Sequence, residues 1–166
     1  MKMLTLNDLM VDVARDMLDA EKQLAKALPK MAKAASAPAL RKAFEKHLEE
    51  TKLHAERMVQ VLEALGRPAR GKKCRAMEGL IEEGAEILEM EASPETRDAA
   101  LIAAAQKVEH YEIAGYGTLS TWAETLDVPE VKKLLGATLA EEKATDGLLT
   151  EIAETVVNAE SASASS

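Results

Sequence analysis

The chain has 166 residues, of which 47% are hydrophobic, 2% aromatic and 30% charged, and its formal net charge is -8. This length suits one domain with a single core, and the scarcity of aromatic residues disfavours a β-sheet. The acidic balance, without a basic face, argues against nucleic acid as a partner, and the apolar runs are too short to cross a membrane.

The first predicted helix begins after Thr5, which forms an approximate capping box with Asp8. Its apolar residues recur at steps of three and four, as on the buried face of a helix. Glu21 lies inside this apolar stripe, where an uncompensated acid costs several kcal/mol of desolvation. Pro29 lies in the same pattern and predicts a kink or a break of the helix there.

The second long helix follows a short turn over 34–38, in which Ser36 is a candidate cap, and it ends at Gly66. The connection over 66–93 is long and opens with the basic run GRPARGKK. A short helix is predicted within it from about Met77.

Two further long helices follow, each with proline at its first position. One begins after Ser93 and ends near Leu126, and the last begins at Pro129. The small polar tail 158–166 is expected to be disordered, which leaves one helical domain over 1–157. A four-helix bundle with one long crossover between its second and third helices has the ferritin-like topology. The sequence therefore predicts an all-α, ferritin-like antiparallel bundle whose crossover carries a short extra helix.

All four long helices carry acids on or beside the face that should be buried. Glu112 is central in the third stripe and Glu142 in the fourth. On the second helix, acid and histidine at i and i+4 reach over the same preceding turn. His47 is interpreted as a satisfied core or boundary histidine rather than a ligand. The candidate metal ligands are Glu21, Glu50, His54, Glu109, Glu112, Glu142 and Asp146.

Buried carboxylates this close together would repel one another and take up protons. Two divalent cations would neutralise about four of them, and bundle cores bind metal pairs through such side chains. Oxygen-rich ligation with one imidazole suits iron or manganese better than zinc or copper. The alternative, in which the helical phase is off by one residue and the acids are solvated at the edge, stays open. The favoured prediction is a site for two metal ions, iron or manganese.

A faint internal repeat relates the first two long helices to the last two. Glu21 and Glu112 each lie 17 residues before the proline that opens the next helix. In this alignment Glu50 pairs with Glu141, one residue short of the inward Glu142. The repeat predicts two related hairpins, each with an acid in its first helix and an acid with a partner in its second.

The chain resembles the YciE/YciF family of bacterial ferritin-like, rubrerythrin-like proteins over residues 3–155. The resemblance is carried by DAEKQLAKALPKMAKAA, HLEET, RGKKCRAMEGLIEEG, and RDAALIAAAQKVEHYEIAGYGTL followed by EEKATD. It implies an antiparallel bundle, usually a homodimer, associated with bacterial stress responses and holding a presumed di-metal site. The ligands it implies are Glu21, Glu50, His54, Glu112 and Glu142, with Glu109 and Asp146 secondary.

The wider ferritin pattern has glutamate and histidine at i and i+3 on the second and fourth helices. Here Glu50 and His54 stand at i and i+4, and Asp146 stands where a histidine is expected. Three interpretations stay open: two ions in an altered geometry, one ion bound well and one poorly, or a chemistry that has been lost.

Two classes of function follow. The first is a di-iron or di-manganese protein with oxidoreductase-like chemistry on O2 or peroxide. The second is a non-catalytic dimeric bundle that acts through protein partners in stress, with a structural or vestigial metal site. The lone Cys74 excludes an internal disulfide, and the N-terminus lacks a signal-peptide pattern, so a cytoplasmic location is expected.

Overall fold

The computed structural model describes residues 4–164, and every regular element in that range is helical. The fifth helix continues through a π-helical segment (Ala153–Val157) into the last one. Within residues 4–164, no helix combines the length and the apolar character needed to cross a lipid bilayer. The helices are α1 (Leu6–Ala34), α2 (Pro38–Ala64), α3 (Arg75–Glu89), α4 (Pro94–Thr125), α5 (Pro129–Ile152) and α6 (Asn158–Ala164).

The four long helices form two antiparallel hairpins, α1 with α2 and α4 with α5. Helix α2 packs against α5, α1 packs against α4, and the crossover helix α3 lies on α1 and α4. This is the predicted bundle with its long crossover, and the prediction is confirmed. Two apolar clusters fill the interior, one around Leu28, Phe44 and Leu101 and the other around Met58 and Leu135.

The first helix begins as predicted, since the Thr5 hydroxyl accepts the Asp8 N–H and the Asp8 carboxylate accepts the Thr5 N–H. The predicted break at Pro29 does not occur, because α1 runs on to Ala34. Pro29 itself is exposed, whereas Leu28 and Met31 on either side are buried in the core. Packing on both sides of the proline therefore outweighs the loss of one backbone hydrogen bond.

Lys72 and Cys74 attach the crossover to the first half of α1. The Lys72 N–H donates to the Arg15 carbonyl at 3.0 Å, and Lys72 Nζ lies 2.6 Å from Asp12 Oδ2. The next contact comes from Cys74, whose N–H donates to Asp19 Oδ2 at 2.8 Å. The Cys74 side chain is buried and its sulfur caps α3, which begins two residues before the predicted start.

The tail for which the composition predicts disorder is helical as far as Ala164. Val157 is buried beneath it, and the hydroxyl oxygens of Thr96 and Ser161 lie 3.1 Å apart. The tail therefore extends α5 and rests on the start of α4. Residues 165–166, the end of the predicted tail, lie outside the described residues, as do residues 1–3.

The predicted cap at Ser36 is wrong, because the second helix is capped by a side chain from α4. Asp98 is 1% exposed and accepts the backbone N–H groups of Ser36 at 2.9 Å and Ala37 at 2.6 Å. A carboxylate at a helix N-terminus satisfies free N–H groups and complements the helix dipole. This contact also ties the start of α2 to the second hairpin.

Replacing Asp98 by alanine should destabilise the protein by about 2 kcal/mol, because the backbone N–H groups of Ser36 and Ala37 lose their acceptor. Urea unfolding followed by circular dichroism measures the change. Ser36→Ala is the matched control and should stay within about 0.5 kcal/mol of the wild type, since that exposed side chain caps nothing. Equal losses in the two variants would contradict this assignment of the cap.

Candidate metal centre

A layer of charged side chains crosses the middle of the bundle between the two apolar clusters. It is built from one acid on α1, two histidines on α2, two acids on α4 and one acid on α5. Helical phase turns each of them inward, and each is at most 2% exposed. The members of this layer are Glu21, His47, His54, Glu109, Glu112 and Glu142.

The layer divides into two groups of potential ligands. Within each group, one nitrogen or oxygen atom of every member lies within 4.8 Å of the others. Glu142 belongs to both groups, so the two groups share one carboxylate. The four-residue group is His47, Glu109, Glu112 and Glu142, and the three-residue group is Glu21, His54 and Glu142.

Close contacts inside the layer lack the alignment of hydrogen bonds. His54 Nδ1 lies 2.8 Å from Glu142 Oε1, and His47 Nε2 lies 3.0 Å from Glu109 Oε1. Neither nitrogen, nor either oxygen of Glu112 or Glu142, has a hydrogen-bond partner among residues 4–164. Unsatisfied buried polar atoms are rare and costly in native proteins. A set of oxygens and nitrogens that converge in this way fits a cation.

Burial and mutual repulsion disfavour the ionised acids. Burial, with the charge of Glu142, raises the pKa of Glu21 to about 8. Burial likewise raises the pKa of Glu109 to about 7, although the contact with His47 opposes the shift. The pKa of Glu112 is raised well above its ordinary value by burial and by the charges of Glu21, Glu142 and Glu109.

Burial alone would lower the pKa of His47, but its contact with Glu109 and the nearby acids raise it to about 9. The pKa of His54 is also raised, since its contact with Glu142 outweighs burial. In the absence of metal, the layer therefore balances its charge with protons held on acids and histidines.

Tyrosine and threonine complete the surroundings of the layer. The Tyr116 hydroxyl donates a hydrogen bond to Glu21 Oε1, which holds that carboxylate in place. The Tyr116 ring also meets the edge of His54, with centroids 6.4 Å apart. Thr51 and Thr145, at 0% and 4% exposure, lie on α2 and α5 among the ligand candidates.

The structure brings together five of the seven predicted ligands. Glu50 and Asp146 belong to neither group, because both stand at the edge. Glu50 Oε1 pairs with Lys46 Nζ at 2.6 Å, although its second oxygen is buried. Asp146 Oδ1 accepts a hydrogen bond from Gln106 at 3.1 Å, and its side chain is 23% exposed.

The sequence favours a satisfied core or boundary histidine at position 47, yet the structure places His47 in the four-residue group. The helical phase already placed it on the same side as His54. For Glu50, the repeat gives a signal that it lies at the edge of the layer. It pairs Glu50 with Glu141, which stands one residue short of the inward Glu142. The same step pairs Thr51 with Glu142, so the inward position on α2 is a threonine.

Comparison with known proteins gives consistent matches. A family model described as "Domain of unknown function (DUF892)" matches residues 5–162. The chain is 53% identical over 159 residues to Protein YciF of Escherichia coli (strain K12). The aligned region covers 95% of this chain and 96% of that protein. The crystal structure of the E. coli stress protein YciF superposes with a TM-score of 0.90 over 94% of this chain and 99% of that one.

Two further solved structures superpose well. YcfI from Rhodopseudomonas palustris, described as a putative structural protein, has a TM-score of 0.85 at 44% identity and covers 89% of this chain and 94% of its own. A ferritin-like, diiron-carboxylate protein from Bacillus anthracis has a TM-score of 0.70 at 16% identity, over 90% of this chain and 99% of its own. The second likeness shows that the fold is ferritin-like.

The metal-free protein should lose stability as the pH rises. Glu21, Glu109 and His47 have folded-state pKa values above their ordinary 4.5, 4.5 and 6.5, so they bind protons more tightly when folded. Their contribution is complete below about pH 4.5 and is lost as the pH rises to about 9. Thermal unfolding of chelator-treated protein between about pH 5 and about pH 9 measures this loss.

Glu112→Gln should reduce this pH dependence because it removes one repelling charge. The surface variant Glu124→Gln is the control and should leave the dependence unchanged. A melting temperature that stays level or rises over the same pH range would contradict the electrostatic account.

Proposed function

The chain belongs to the family described as domain of unknown function DUF892, and we propose that its bundle binds two divalent ions, iron or manganese, in the buried carboxylate layer. Glu112 carries the proposal. Both of its oxygens are buried without a hydrogen-bond donor among residues 4–164, and burial together with repulsion from Glu21, Glu142 and Glu109 raises its pKa. A divalent cation relieves both penalties at once.

The two ligand groups define which side chains would hold each ion. His47, Glu109 and Glu112 would hold one ion, Glu21 and His54 the other, and Glu142 would be shared. The four ionised carboxylates match the charge of two divalent ions. Two imidazole nitrogens among mostly oxygen ligands suit iron or manganese. Because one group has four ligands and the other has three, the protein should bind the two ions with unequal affinity.

Redox-active ions bound in such a pair supply electrons for the reduction of a small oxidant such as O2 or hydrogen peroxide. The protein's own part is to hold the ligands and to exclude water. Tyr116 orients Glu21, and the apolar clusters on either side close the layer to solvent. The stress role given to the E. coli relative favours this activity. A homodimer stays a prediction from the family resemblance, and a cytoplasmic location stays a prediction from the lone Cys74.

A second candidate is a non-catalytic bundle in which the same ions only stabilise the fold. The description of the 44% identical relative as a putative structural protein favours it. The two functions share the metal site and differ in what the bound ions do. They therefore need separate tests, one of binding and one of oxidation.

Titration of Fe(II) or Mn(II) into metal-free protein without oxygen should give two equivalents for the wild type. Glu112→Ala should abolish stoichiometric binding of one ion, because it removes one of about four charges that two cations need. Calorimetry and metal analysis after gel filtration measure the stoichiometry. Glu124→Ala, at an exposed ion pair with Lys132, is the control and should keep two equivalents. Equal stoichiometry in the wild type and Glu112→Ala would refute the proposal.

Hydrogen peroxide added to the Fe(II)-loaded wild type should produce a rapid change in the near-ultraviolet spectrum as iron is oxidised. Glu112→Ala, compared at equal protein concentration, should show at most a slow change. Fe(II) in buffer and Fe(II) with Glu124→Ala are the controls. Two bound ions that stay reduced after peroxide would favour the structural function over the redox one.

A further inference from the structure

His54 contacts carboxylates through both nitrogens of its ring. Nδ1 faces the layer and lies 2.8 Å from Glu142 Oε1 and 3.7 Å from Glu21 Oε1. Nε2 points the other way and lies 2.8 Å from Glu141 Oε2. The His54 side chain is wholly buried, whereas that of Glu141 is 34% exposed. The ring therefore separates the buried layer from a surface carboxylate.

Glu141 is itself held by an arginine. Nη1 of Arg57 donates to Glu141 Oε2 and Nη2 donates to Oε1 at 3.1 Å, which makes a two-point contact. The same Nη1 lies 3.3 Å from the Thr138 hydroxyl. Paired N–H groups fix the plane of a carboxylate as well as its position. The contact with Arg57, together with that of His54, also keeps the pKa of Glu141 below its ordinary value.

Glu141 and Glu142 are consecutive on α5 but contact different atoms. Neighbours on a helix differ by about 100° in direction, so Glu142 points into the layer and Glu141 to its rim. The two side chains approach opposite nitrogens of the same ring. Arg57, one turn after His54 on α2, completes the contact from the outside.

We infer that Glu141, held by Arg57, is a positioning residue that keeps the hydrogen of His54 on Nε2 and leaves Nδ1 free to bind a metal ion. The inference rests on the proposed function, since it assigns the ligand atom of the three-residue group. A histidine that binds metal through one nitrogen commonly donates the other N–H to a carboxylate, which sets its tautomer and orientation. Without that acceptor, a hydrogen on Nδ1 would point at Glu142 and block the ion.

Among residues 4–164, His54 has a carboxylate at its outer ring nitrogen, whereas His47 has none. His47 Nε2 faces Glu109, and its Nδ1 has no hydrogen-bond partner among residues 4–164. Glu50, the counterpart of Glu141 in the repeat, pairs with Lys46 instead. The three-residue group, which offers fewer ligands, is thus the one whose histidine is held in place.

The test uses Zn(II), which is diamagnetic, and protein with 15N-labelled histidine. In the loaded wild type, His54 should show a metal-bound Nδ1 and a protonated Nε2 that exchanges slowly with water. Glu141→Ala should speed that exchange and lower the affinity for one of the two Zn(II) ions by about tenfold to a hundredfold. Glu141→Gln keeps an oxygen acceptor and should recover part of the loss. Arg57→Met should fall between the wild type and Glu141→Ala.

The control is Glu124→Ala, which removes a surface ion pair away from the layer and should change neither readout. A purely structural role for Glu141 would lower the melting temperature and weaken both ions equally, which overturns the inference. Unchanged Zn(II) affinity in Glu141→Ala, or metal on Nε2 in the wild type, also overturns it. A wild type that binds no Zn(II), Fe(II) or Mn(II) refutes the proposed function and the inference with it.

Discussion

The repulsion among four buried carboxylates is the constraint on which the rest of the structure depends. Glu21, Glu109, Glu112 and Glu142 meet in a space that water does not reach, between two apolar clusters. Each cluster stabilises the bundle by burying apolar surface, while the layer between them opposes folding unless its charge is neutralised. Protons can do this at low pH and divalent cations at higher pH. Each of the four long helices thus contributes a side chain to one level of the bundle, where the charge has to be neutralised.

Much of the fold could be predicted from sequence because its signals are local. The capping box at Thr5, the prolines that open the helices and the positive φ at Gly66 each depend on a few neighbouring residues. The cap from Asp98 could not be predicted in this way, because it joins α4 to the start of α2, 61 and 62 positions away. Pro29 is misleading for a related reason, because its local signal predicts a break while packing of the core on both sides lets α1 continue.

The candidate site was predictable in its chemistry and less so in its members. Helical phase located the central acids Glu112 and Glu142 correctly, because one step along a helix turns a side chain by about 100°. The same rule placed His47 on the side of His54 and Glu50 beside the stripe, but it could not show which of the two supplies a ligand atom. Only contact with α4 separates them: His47 meets Glu109, whereas Glu50 pairs with Lys46.

Aligning the two hairpins by the repeat shows where their inward residues differ. Glu112 follows Glu21 by 91 residues, and the same step pairs His54 with Thr145. The first hairpin therefore has an imidazole where the second has a hydroxyl. Beside Glu112, the candidate ligand atoms come instead from His47 on α2 and Glu109 on α4.

The fastening of the crossover to α1 has a practical consequence for engineering the protein. The chain is held to α1 from Lys72 onward, whereas residues 67–70 just before it are exposed. Exposed loop tips flanked by fixed residues accept inserted sequence most readily. A peptide tag or a fluorescent domain inserted at 67–70 would leave both hairpins joined as they are. That insertion point offers a way to attach a reporter without touching the buried layer.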